Sequence, residues 1–131
     1  MENKNTTQKD LIKHIKVPIY LGELILIQTE KIENLEGKYG LTDLKNIDAF
    51  CYDYPYKDGS SRYILAFEYN TTPKIIAHEA FHLVSYICRD RQMRIDLFND
   101  EPQAYLIGWI VEQCHKYLQI KNILKTRTVK L

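Results

Sequence analysis

Apolar residues along this chain fall into short clusters, and their spacing predicts the elements. Residues 7–16 place Leu11, Ile12 and Ile15 on one face of a short helix. Pro18 forbids any helix from running through it. Residues 19–28, IYLGELILIQ, are dense in Ile and Leu and read as a buried strand. Thr29, Glu30 and Lys31 open a short helical or turn segment that ends at Gly37 or Gly40, and residues 41–48 read as irregular. Residues 49–54 and 62–69 are strand-like runs around the turn signal Asp58-Gly59, which predicts a β-hairpin. Thr72 is a good N-cap and Pro73 a good first helical residue, so a helix should run from there to about Arg89. It is apolar nearly all round, which predicts burial. A polar connection follows, then a second long helix from Asn99 or Asp100 to about Leu118. The polar start, residues 1–6, and the basic tail, residues 121–131, read as flexible ends. The pattern gives one α+β domain over residues 1–131: a small twisted sheet, antiparallel or mixed, with its hairpin packed on two main helices.

Composition narrows the functional classes. At 131 residues and 45% hydrophobic, the chain can bury a core without staples. Lys plus Arg number 18 and Asp plus Glu 17, so nothing steers it toward nucleic acid or an anionic membrane. Cys51, Cys88 and Cys114 are odd in number and lack C-x-x-C spacing, as expected of reduced thiols in the cytoplasm. The first ten residues, MENKNTTQKD, contain no apolar core of a signal peptide. The longest apolar stretches, near residues 21–27 and 106–111, fall far short of the roughly 20 residues that cross a bilayer. A cytoplasmic location is expected; oligomeric state is not legible.

Chemistry enters at His78-Glu79-Ala80-Phe81-His82, an H-E-x-x-H motif. Residues four apart on a helix differ by about 40° in direction and sit one turn apart. Two imidazoles so placed can grip one Zn²⁺ from the same side. Glu79 lies about 100° round from His78, beside such a metal rather than on it, where a carboxylate can take a proton from water. Chance produces this motif in roughly one chain of this composition in a hundred. Two histidines and a glutamate in so apolar a helix are costly unless they find partners.

A catalytic zinc needs a third protein ligand and an open position. The longer pattern H-E-x-x-H-x-x-G-x-x-H fails, because Ser85 stands at the glycine and Cys88 at the last histidine. Cys88 then points about 240° away from His82 and reads as a buried thiol. The second helix offers Asp100 and Glu101 in its first turn, 18 and 19 residues past His82. Glu101 is the stronger candidate; Asp100 is the alternative ligand or an N-cap.

HEAFH followed by EPQAY resembles the gluzincin group of zinc metallopeptidases, and more closely the compact minimal zincins of phages and mobile elements. The resemblance covers about residues 49–118. It implies a zinc-dependent peptidase acting on a peptide or protein substrate, with His78, His82 and Glu101 as ligands and Glu79 as general base and acid. It also implies an edge strand, residues 49–54, along which a substrate peptide would lie. The chain is too short for the subdomain that steadies the oxyanion in larger gluzincins. Tyr105 and His115 are the candidates in its place, though an aromatic at such spacing is more often core. Two other readings compete: a zinc-binding domain of a mobile element without proteolysis, and a metal-free structural domain. A di-iron bundle built on Glu79-Ala-Phe-His82 and Glu112-Gln-Cys-His115 would need four long helices, which this pattern does not supply.

Overall fold

Two strands with unbroken apolar middles form the centre of the sheet. In the computed structural model, which describes residues 9–122, these are β2 (Glu23–Thr29) and β4 (Arg62–Glu68). They run parallel, with Leu26 opposite Leu65. Continuous burial is what a strand covered on both faces requires. Leu24 and Leu26 of β2, with Tyr63, Leu65 and Phe67 of β4, face one core. Ile25 and Ile27, with Ile64 and Ala66, face a second core, closed by Ile32, Leu35, Leu41 and Leu44. Ile32 and Leu35 come from a short 3-10 turn (Ile32–Leu35) that ends just before Gly37.

β1 (Leu11–Lys16) pairs antiparallel with β2, and β3 (Ala49–Asp53) antiparallel with β4, giving the order β1-β2-β4-β3. The fold is α+β with a four-stranded mixed sheet, and the predicted hairpin is β3–β4. Helices α1 (Pro73–Asp90) and α2 (Glu101–Tyr117) cover the first core. α1 starts as the sequence predicts: Pro73 opens it and Thr72 Oγ1 accepts from the Ile75 N–H at 3.3 Å. The two helices are the only long ones among the described residues, so no four-helix bundle forms. No helix of the described residues is long and apolar enough to cross a membrane.

Three expectations are corrected. Residues 7 and 8 lie outside the described residues, but 11–16 form a strand, not a helix. A helix this short gains too few internal bonds to stand alone, whereas β2 offers an open edge paired from Leu11↔Gln28 to Lys16↔Glu23. The next strand starts at Glu23 rather than at residue 19. Residues 18–22 are a turn closed by Val17 N–H donating to Gly22 O at 3.0 Å. Finally, α1 is not buried all round: Ile76, Glu79, Ala80, Leu83, Val84 and Ile87 are buried, while Ala77, His78, Phe81 and His82 face out.

Candidate functional site

The site is built on the outer surface of α1. His78 and His82 stand one turn apart, and their Nε2 atoms approach to 3.2 Å at hydrogen-bond separation. The rings meet edge to face, with centroids 4.9 Å apart. Both are exposed, so the cost of burying them unpartnered does not arise. That cost falls on Glu79, which is buried. Glu79 Oε1 lies 4.0 Å from His78 Nε2.

Glu79 turns toward β3. Burial holds its carboxyl above the ordinary glutamate range; His82 and His78 oppose the shift and Asp48 adds to it. Cys51 of β3 is a neighbour: burial, then the charge of Glu79, pushes its thiol strongly upward, which makes it unreactive. Tyr86, one turn beyond His82, borders the same space, and its hydroxyl is raised by burial and by Cys51. No sequence signal gives Asp48, Cys51 or Tyr86 a place in the site. Only the pairing of β3 with β4 brings the first two beside α1, and no local spacing encodes that.

The candidate third ligands lie at the start of α2. Asp100 occupies the N-cap position of α2, but its side chain makes no capping bond. It borders a hollow of about 330 Å³ between the helices, shared with Phe81, Val84, Ser85 and Gln103. Glu101 lies on a different stripe of α2, with Tyr105, Gly108, Trp109 and Glu112. Tyr105 is exposed there rather than core. His115 is exposed further along, with Nδ1 2.9 Å from Val111 O. Cys88 and Cys114 are buried, and all three cysteines are free. The structure therefore brings together His78, Glu79 and His82. Among the described residues, no group of three His, Cys, Asp or Glu side chains is placed to hold a metal ion.

Two of a zinc site's donors fit. Zn–N bonds of about 2.0–2.1 Å in a tetrahedron put neighbouring ligand nitrogens roughly 3.3 Å apart. The observed 3.2 Å between the two Nε2 atoms matches that edge. The face is open, and β3 is an edge strand beside it. No protein-family model matches the chain, and no curated protein or solved structure matches it either.

Proposed function

We propose that the protein is a zinc-dependent peptidase. The observation that carries this reading is the 3.2 Å approach of His78 and His82 Nε2 on an exposed helix face, with the Glu79 carboxylate alongside. His78 and His82 would hold the ion. The third ligand comes from the first turn of α2: resemblance favours Glu101, and nearness to α1 favours Asp100. When bound, zinc supplies Lewis acidity that polarises a peptide carbonyl and makes water acidic near neutral pH. Glu79 accepts the proton of the attacking water and returns it to the leaving amine. Burial raises its proton affinity above that of an ordinary glutamate, the direction a general base needs. The free edge of β3 offers backbone N–H and C=O groups to an extended substrate.

Glu79→Gln is the test. It should keep zinc, measured by metal analysis, and lose cleavage of an unfolded protein substrate by about 10²-fold or more. Equal cleavage by Glu79→Gln and the parent removes the general-base role. Stoichiometric zinc without any cleavage in the parent points instead to a zinc-binding domain of regulatory kind. Zinc below about 0.2 per chain after supplementation rejects both. Glu101→Ala and Asp100→Ala, compared by zinc affinity, identify the third ligand.

A further inference from the structure

Peptide hydrolysis needs a hydrogen-bond donor for the oxygen that gains negative charge when water adds to a carbonyl. The two residues that sequence offers for this role both stand on α2. Tyr105 keeps to the stripe of Glu101, Gly108 and Glu112, and His115 to the last turns of that helix.

Tyr86 stands on α1 itself. His78, His82 and Tyr86 follow one another at four-residue steps, each about 40° further round the helix. Tyr86 is also seven residues past Glu79, so those two directions differ by only about 20°. In height, His82 lies between Glu79 and Tyr86. Long side chains on a helix lean back over the preceding turn, which for Tyr86 is the turn of His82 and Leu83.

This stripe runs beside β3. Asp48 and Cys51 lie within electrostatic reach of Glu79, Cys51 and Asp53 within reach of Tyr86, and Asp53 pairs with Arg89. β3 and α1 therefore run side by side in one direction. From Glu79 to Arg89 the helix rises about 15 Å, and from Asp48 to Asp53 the strand covers about 17 Å. An extended peptide added at the free edge of β3 would lie alongside the stripe.

The fold holds the ring of Tyr86 and leaves its hydroxyl free. The ring packs against the first core, with the Arg89 guanidinium 4.9 Å from its centre. Arg89 is tied in turn to Asp53 of β3 and, at 3.0 Å, to Asp90 of α1. Among the described residues, none hydrogen-bonds the Tyr86 hydroxyl. Phenylalanine would pack as well, so packing does not account for the hydroxyl. Burial, then Cys51, holds that hydroxyl above the ordinary tyrosine value against the pull of Arg89, and it stays protonated.

We infer that Tyr86 is a catalytic residue whose hydroxyl donates a hydrogen bond to the carbonyl oxygen of the scissile peptide as that oxygen becomes an oxyanion. This rests on the peptidase reading. The water oxygen bonds the carbonyl carbon, and the C=O pair moves onto oxygen. Glu79 takes the water's proton and passes it to the leaving nitrogen as the pair re-forms C=O and the C–N bond breaks. Tyr86 keeps its own proton throughout. A donor held in place before the reaction costs no reorganisation when charge develops.

Tyr86→Phe is the test, because it keeps the ring and the Arg89 contact. Its kcat on a fluorescently labelled unfolded protein should fall about 10²-fold, with KM within about twofold of the parent's. Zinc content and the circular dichroism melt should not change. Affinity for a phosphinic peptide, whose tetrahedral P–O⁻ resembles the oxyanion, should fall by about tenfold or more in calorimetry. Equal kcat or equal phosphinic-peptide affinity in parent and variant overturns the assignment alone. A variant that loses zinc or melts early also overturns it, since the hydroxyl would then be structural. A parent that never cleaves overturns the peptidase reading and this assignment together.

Discussion

Zinc should stabilise this fold through His78 and His82, and the size of the effect follows from their geometry. The two Nε2 atoms are 3.2 Å apart before any ion is added. A tetrahedral site asks for roughly 3.3 Å. Binding therefore needs no rearrangement of α1, and the folded chain offers a pair that the unfolded chain lacks. With free zinc at about 100 times its dissociation constant, mass action adds about 2.7 kcal/mol. For a domain of this size, each kcal/mol is worth roughly 3–6 °C in Tm, so the expected rise is roughly 8–16 °C. His82→Ala leaves one imidazole and should lose nearly all of the rise. Because His82 is exposed, the variant's metal-free stability should stay within about 0.5 kcal/mol of the parent's. The assay is a circular dichroism melt of chelator-treated protein with and without added zinc. An equal rise in parent and His82→Ala would refute the pairing, as would a rise below about 1 °C in the parent at saturating zinc.

Two further outcomes test the frame that holds the site. Leu83 is fully buried between α1 and the sheet, so Leu83→Ala should cost about 2–5 kcal/mol in urea unfolding; a loss below about 1 kcal/mol would mean that α1 is not seated as described. Glu23 feels burial that raises its carboxyl, but hydrogen bonds from His14 at 2.6 Å and Tyr56 at 2.8 Å outweigh it and hold the carboxyl below its ordinary value of 4.5. Its stabilisation is therefore present above pH 4.5 and lost as pH falls through the lower folded value. Glu23→Gln should cost about 0.5–1 kcal/mol at pH 7, with the gap to the parent closing toward pH 3; a gap that widens in acid would contradict that sign.

What the sequence made legible follows the range of the interactions involved. The α1 start depends on Thr72 and Pro73 alone, the β3–β4 turn on Asp58-Gly59, and the histidine pair on a four-residue spacing, so each is readable locally. β1 was misread because Leu11, Ile12 and Ile15 fit a helical stripe, and only pairing with β2, up to 17 residues on, decides for a strand. The turn at 18–22 was misread because Ile and Leu at exposed left-handed positions run against propensity. The apolar count of α1 was read as burial on all sides, yet Phe81 projects outward toward the hollow shared with α2. In the last two cases, apolar side chains lie outside the core, and no rule that assigns apolar residues to an interior can find them.

The same range dependence explains why half of the candidate site is defined and half is open. His78, Glu79 and His82 occupy one helix, whose pitch fixes their mutual directions whatever surrounds it. Their environments differ only through the sheet order: β3 at the edge covers the Glu79 side and leaves the histidine side free. One strand placement thus separates a desolvated carboxylate from two accessible imidazoles about 40° and one turn apart. The proposed third ligand would have no such covalent ruler, because its position depends on how the 91–100 loop sets the start of α2 against α1. Asp100 makes no capping bond that would hold its carboxylate to the helix end, so on the proposed reading it would turn to an ion without breaking one. Glu101 would have to reach across from a neighbouring stripe of α2. If Asp100→Ala weakens zinc binding more than Glu101→Ala, the helix end supplies the ligand; the reverse order assigns that role to Glu101.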